Sequence, residues 1–113
     1  MTTKDKFTFE SAYAKYPDCN FQASRYMDNR NLALMIVHEE SGERIAIASV
    51  NPGKKLPDDR IAVKDYSENA GMVKALRNLG VIEDEPVDVI PSGFVVIPVF
   101  MLTESGKELF DGV

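Results

Sequence analysis

The chain has little of what most catalytic and metal sites need: its 113 residues include one cysteine, Cys19, and one histidine, His38. A single cysteine excludes an intramolecular disulfide and a multi-cysteine zinc site. The two residues could still form a nucleophile and its base. Cys19, however, follows a Pro-Asp pair, and His38 is expected at the far end of a strand. A half-buried cysteine and a strand-end histidine are the simpler interpretation, so no catalytic residue is predicted.

Other signatures of chemistry are also lacking. The sequence contains no glycine-rich phosphate loop, no zinc-ligand spacing and no nucleophile elbow. Carboxylates cluster at 58–59 and at 83–85, but neither cluster has the alternating ligand spacing of a calcium loop. We therefore predict no metal and no cofactor, and the sequence favours a protein that is not an enzyme.

Long apolar runs and clustered cations are missing as well. The longest apolar stretch, at 94–102, has the length of a strand, whereas a membrane span needs about 20 residues. The first ten residues show no apolar signal-peptide core, so a cytoplasmic protein without membrane contact is expected. The net charge is -5, and the thirteen lysines and arginines are scattered, which argues against direct nucleic-acid binding. The acidic surface either remains solvated or receives a basic partner.

The apolar pattern predicts short strands that are joined by turns. Strands are expected at 20–27, 32–37, 44–50 and 60–63, at 87–90, and at 94–102. The continuous apolar run at 32–37 is typical of a central strand, and the Ser41-Gly42 pair predicts a hairpin loop at 39–43. Residues 7–16 fit either a strand or a helical turn that ends at Pro17. Because Pro98 cannot donate a hydrogen bond, the strand at 94–102 is expected at an edge or a bulge.

One helix is predicted, at about 67–79. Asp65 and Glu68 have the spacing of a capping box, although Ser67 could cap the helix instead. Gly80 is placed to end the helix in a left-handed conformation. Gly71 would lie inside the helix at a cost of about 1 kcal/mol relative to alanine, so we expect a neighbouring segment to approach closely there. Apolar residues follow at helical spacing: Met72, Val73, Leu76 and Leu79.

These elements predict a single α+β domain over 1–113, with a mainly antiparallel sheet of about five strands and the helix packed on one face. The tail at 103–113 is expected to form at most a frayed turn around residues 108–110.

The polar junction before the helix is the candidate binding site. Strand-to-helix junctions often bind ligands, and a small-ligand binding module at 64–69 is one functional hypothesis. The competing interpretation is that these side chains cap the helix and orient its first turn. The candidate residues are Lys64, Asp65, Tyr66, Glu68, Asn69 and Gly71.

Four spaced motifs carry a resemblance to a family. They are RYMDNRNLAL at 25–34, ASVN at 48–51, KDYSENAGM at 64–72 and PSGFVVIPV at 91–99. Together they resemble a small uncharacterised bacterial family of unknown function, with members on plasmids, conjugative elements and phages. The resemblance spans roughly 24–102 and transfers no catalytic residue.

That resemblance implies a context for function. Small acidic proteins of mobile genetic elements often bind a host or competitor protein, as anti-restriction and anti-CRISPR inhibitors do. A net charge of -5 is too small for strong DNA mimicry, but steric blocking of a partner surface would not need more. The leading hypothesis is thus a non-enzymatic protein-interaction protein of the anti-defence type. A homodimer that pairs through an edge at 94–102 is a further hypothesis.

Overall fold

The computed structural model describes residues 6–113, which contain two antiparallel sheets. The first sheet has four strands in chain order, and its third strand is central, as predicted. Leu32, Leu34 and Ile36 are fully buried on one face of that strand. The strand alternative for the segment around Phe7 and Phe9 is confirmed, whereas the helical turn is wrong. The four strands are β1 (Phe7–Glu10), β2 (Lys15–Arg25), β3 (Leu32–His38) and β4 (Arg44–Ile47).

The second sheet has three strands, β5 (Arg60–Ala62), β6 (Asp88–Ser92) and β7 (Val95–Met101). Their order is β5-β7-β6, so the prediction that the most apolar strand lies at an edge is wrong. Pro98 is tolerated in a central strand because of its register. Its carbonyl accepts a hydrogen bond from Val63 N at 3.0 Å, one residue after β5 ends. The missing N–H therefore falls where the ladder to β5 stops.

A short segment after β4 joins the two sheets. Ser49 forms an isolated bridge with Val63. Flanking bonds run from Val50 N to Ala62 O at 3.0 Å and from Lys64 N to Ala48 O at 2.9 Å. The strand expected at 44–50 thus ends early and its last residues pair with the other sheet. One sheet of about five strands was expected, whereas residues 6–113 form seven strands in two joined sheets.

The predicted helix at 67–79 is split. A 3₁₀ turn covers Ser67–Asn69, and helix α1 covers Met72–Asn78. Gly80 ends α1 at φ 78°, as predicted. Bonds from Gly80 N to Arg77 O and from Val81 N to Leu76 O complete a Schellman motif.

A second helix, α2 (Glu104–Leu109), replaces the expected frayed turn. The hydroxyl of Thr103 accepts a hydrogen bond from Gly106 N at 3.0 Å and thereby caps the helix. No helix within residues 6–113 has both the length and the apolarity to cross a membrane.

Both helices and both sheets contribute to the main core. The core contains the inner face of β3, the buried side of α1 and the segment that follows α1. Phe100 and Leu102 join it from the second sheet, and Phe110 joins it from the end of α2. A smaller apolar cluster lies on the other face of the second sheet: Leu56, Ala62, Ile97 and Val99.

Candidate functional site

The polar junction at 64–71 lies directly before α1, and Asp65 is its main capping residue. Its Oδ1 accepts hydrogen bonds from Gly71 N at 2.7 Å and from Met72 N at 3.0 Å. Both donors are N–H groups that the first turn of α1 leaves without helical partners. A capping role for Asp65 is thus present, but the predicted capping box with Glu68 is not, because Glu68 pairs with Lys64 instead.

Asn69 has a structural role at the same junction. Its side chain is 4% exposed and donates from Nδ2 to the carbonyl of Ile47, the last residue of β4. A buried amide that satisfies a backbone carbonyl at a strand end fixes the position of the 3₁₀ turn against the first sheet. Its contribution to the junction is therefore to hold the backbone in place.

Gly71 was predicted inside a continuous helix, but it is the N-cap residue of α1. Its φ is 97°, which favours glycine. An added Cβ would lie 2.9 Å from Ala12 N. Ala12 N donates to Ala70 O at 2.9 Å, so the loop after β1 is held against this position. The predicted close approach is confirmed.

The other three candidate residues, Lys64, Tyr66 and Glu68, contact one another at the surface. Lys64 Nζ lies 2.6 Å from Glu68 Oε2 and 5.6 Å from the centre of the Tyr66 ring. The hydrogen bond from Lys64 lowers the pKa of the Glu68 carboxyl to about 2. A cavity of about 290 Å³ adjoins the junction, but among the six candidates only Gly71 lines it. The ligand-binding role of these residues stays a prediction.

Cys19 and His38 are direct cross-strand partners in β2 and β3, which the sequence did not predict. The Cys19 side chain is fully buried, and burial raises the pKa of its thiol. Its Sγ lies 3.4 Å from Tyr16 O, while His38 Nδ1 lies 3.0 Å from Ser41 Oγ. A reactive cysteine needs a lowered pKa and access, so this geometry is that of a structural thiol. Residues 6–113 contain no group of three or more His, Cys, Asp or Glu residues that could hold a metal ion.

A polar network joins the β2–β3 turn to the loop that precedes β5. Asn29 Nδ2 donates to Asn51 Oδ1 at 2.9 Å, and Asn51 Nδ2 donates to Asp28 Oδ1 at 3.0 Å. Asn31 is 3% exposed, donates to Lys54 O and accepts from Leu56 N. These bonds hold the loop before β5 against the β2–β3 turn.

An exposed apolar surface on the β6–β7 hairpin was missed by sequence reasoning. Cross-strand pairing places Val89 opposite Pro98 and Pro91 opposite Val96, so these four residues share one face. Val89 is 53% exposed and Val96 60% exposed. We define the apolar hairpin face as Val87, Val89, Pro91, Phe94, Val96 and Pro98.

Phe94, in the turn of the hairpin, is completely exposed. The apolar hairpin face continues from the core, because Phe100 lies on the same side of β7 and is 2% exposed. The Arg77 guanidinium lies 5.6 Å from the centre of the Phe100 ring. Toward Phe94 the face is open to solvent, and it therefore presents contiguous apolar area away from the core.

Comparisons of the chain with protein-family models, with curated proteins and with solved structures gave no match in any of the three.

Proposed function

We propose that the chain is a non-enzymatic protein-interaction protein that binds its partner through the apolar hairpin face. The exposure of Phe94, Val96 and Val89 on one hairpin supports this proposal. Contiguous apolar surface that is exposed in a folded protein commonly marks an interaction site. The exposed Phe94 ring in the turn is the kind of residue that carries much of the binding energy in protein interfaces.

The proposed biological role follows from the motif resemblance. The chain would act for a bacterial mobile genetic element by covering a surface of a host defence protein of the restriction or CRISPR type. Steric blocking needs a rigid protruding surface more than a high charge. The β6–β7 hairpin supports such a role, because Phe100 at one end lies in the core and Phe94 at the other end is fully exposed.

The small-ligand hypothesis at 64–69 has less support. A ligand there would have to displace the contacts of Lys64 with Glu68 and Tyr66. The ligand would also have to leave Asp65 and Asn69 in their backbone hydrogen bonds. A thermal-shift screen in which stabilisation by a small molecule is lost in Lys64→Ala and Tyr66→Ala would favour this alternative.

The proposed function is tested in bacteria that carry an active restriction or CRISPR system. The chain is expressed and the plating efficiency of a sensitive phage is measured. The wild-type chain and Tyr13→Ser are expected to raise the plating efficiency of the phage, whereas Phe94→Ser is expected not to raise it. Tyr13 is the matched control, because it is an aromatic residue that is 73% exposed in the β1–β2 loop.

Photo-crosslinking in the same cells tests the surface itself. A benzoylphenylalanine at position 94 is expected to give a defined crosslinked species that is absent with the same group at position 13. Equal crosslinking at both positions, or unchanged plating with Phe94→Ser, would contradict binding through the apolar hairpin face.

A further inference from the structure

We infer that the partner surface that covers the apolar hairpin face is a basic protein surface, bound through side chains and not by strand addition. This inference rests on the proposed function and concerns the same surface. It commits to one occupant, a protein patch in which lysines or arginines surround a pocket for the Phe94 ring. Two observations carry it: the charge around the face and the state of the free edge of β6.

The segment that contains the hairpin carries charge of one sign. Residues 78–106 contain five carboxylates and no lysine, arginine or histidine. Glu83, Asp84, Glu85 and Asp88 are all exposed and lead into or lie on β6. Arg77, just before this segment, is held by its own contacts, with Nε donating to Asp84 O at 2.8 Å. An apolar centre with an acidic border attracts a basic surface and accelerates its association.

The same charge argues against a second copy as the occupant. In a twofold dimer the same patch meets itself, so the acidic border of one hairpin would face the acidic border of the other. Juxtaposed like charges cost free energy and suppress the wrong partner. The homodimer hypothesis also loses its structural basis, because β7 is paired on both sides.

The backbone of β6 is closed to strand addition. Since alternate residues of an edge strand point their N–H groups outward, Val89 and Pro91 are the residues that would receive an added strand. Val89 N donates to Asp88 Oδ1 at 2.8 Å, and Pro91 has no N–H. Strand addition depends on main-chain hydrogen bonds, so the edge offers little to such a partner. The side chains of the apolar hairpin face are left as the binding surface.

Nuclear magnetic resonance titration of the full chain tests the inference with defined probes. The first probe is a synthetic amphipathic helix of leucine and lysine, and the second has glutamate in place of every lysine. The lysine peptide is expected to shift amide signals at 83–98 and to bind more weakly as salt rises. Equal binding of the two peptides, or amide shifts centred outside 83–98, would overturn the proposal of a basic partner.

Variants separate the two proposals. Phe94→Ser is expected to weaken binding of the lysine peptide about tenfold, as for a central aromatic anchor. The double substitution Glu83→Gln and Glu85→Gln is expected to weaken it about threefold, mainly at low salt. Pro91→Val, which restores an outward N–H on β6, is expected not to tighten binding, because the partner does not add a strand. Each exposed-site variant must retain the wild-type unfolding midpoint.

The outcomes are distinguishable. If Phe94→Ser abolishes the plating effect while the glutamine variant binds the lysine peptide as wild type does, the proposed function stands and the basic partner is wrong. Tighter binding by Pro91→Val would show strand addition. Phe94-dependent binding to zwitterionic lipid vesicles would replace the protein partner with a membrane surface. A dimer that Phe94→Ser dissociates in sedimentation would replace it with a second copy.

Discussion

Asp65 holds the start of α1 from outside the helix: its carboxylate accepts the N–H groups of both Gly71 and Met72, at 2.7 and 3.0 Å. The 3₁₀ turn Ser67–Asn69 lies between the carboxylate and the groups it binds. The junction at 64–71 is thereby a folded loop that sets the direction of α1, which explains why Asp65 and Asn69 bond to backbone groups.

Asp65→Ala is expected to lower the free energy of unfolding by about 1–2 kcal/mol, the usual cost of losing a capping side chain. Asp65→Asn keeps an acceptor oxygen and is expected to cost less. Urea denaturation measures the free energy of unfolding of both variants. Asp111→Ala, at an exposed position, is the control and is expected to change it by about zero. If Asp65→Ala and the control are equally stable, the cap contributes nothing.

Gly71→Ala and Gly80→Ala form a matched pair, because both glycines have positive φ but only Gly71 is crowded. Gly80→Ala is expected to cost about 1 kcal/mol through backbone strain. Gly71→Ala adds a Cβ at 2.9 Å from Ala12 N, and its total cost is expected to reach about 2–4 kcal/mol. Equal midpoints for the two variants in urea would contradict the close approach of the β1–β2 loop.

Gly106→Ala tests the contact between α2 and the segment after α1. In an open helix this substitution would stabilise by about 1 kcal/mol, but here the added Cβ would overlap the carbonyl oxygen of Val81. We expect destabilisation by about 1–3 kcal/mol. Ser105→Ala, at an exposed position of the same helix, is the control and is expected to be neutral or slightly stabilising. A gain in stability with Gly106→Ala would show that α2 does not pack closely against Val81.

The Cys19 thiol is expected to react with a disulfide reagent only when the protein unfolds. Burial raises the pKa of this thiol, so the native state holds it neutral. This contribution to stability is complete below the unfolded pKa of about 8.5 and is lost as pH rises through the higher native pKa. The labelling rate at pH 8 should follow the unfolded fraction across a urea series. Rapid labelling of Cys19 in the native state, or slower labelling in His38→Ala, would indicate that His38 activates the thiol.

Glu68 is expected to titrate in the native protein at about pH 2, because its carboxylate accepts a hydrogen bond from Lys64. Lys64→Met should return the pKa toward about 4.3. The sign follows from linkage: the stabilisation is present above about pH 4.3 and is lost as pH falls toward 2. Carbon-detected magnetic resonance of the carboxyl group measures both values. An unchanged pKa in Lys64→Met would show that the cause is another donor.

Local signals predicted some elements well. The continuous apolar run of β3, the Ser41-Gly42 turn and the Gly80 helix end each depend on residues adjacent in sequence. Helix α2 was missed because Gly106 reads as a weak helix former, whereas the structure requires glycine there for the contact with Val81. Pro98 was misplaced at an edge because its tolerance depends on where β5 ends, which no local pattern reveals.

At the candidate site, too, the residue types could be read from the sequence but their tertiary partners could not. Asp65, Asn69 and Gly71 belong to the predicted binding set, whose ligand-binding role stays a prediction. Their observed contacts are with backbone atoms of Met72, Ile47 and Ala12. Backbone partners leave no pattern in the sequence. The apolar hairpin face was missed because valine and phenylalanine in a strand predict burial, and their exposure depends on whether another element packs over that face.

The Ser49–Val63 bridge ties the two sheets into one cooperative unit. Ser49 Oγ also accepts from Leu34 N at 2.9 Å and lies 3.0 Å from the Tyr26 hydroxyl. The side chain of Ser49 therefore bonds to the first sheet, while its backbone bridges to Val63 beside the second. Neither sheet can separate without breaking bonds in the other, and amides at this seam should exchange with deuterium only when the whole domain opens. The turn of the β6–β7 hairpin lies outside this seam, so substitutions at the proposed binding surface can change affinity without breaking the bonds that join the two sheets.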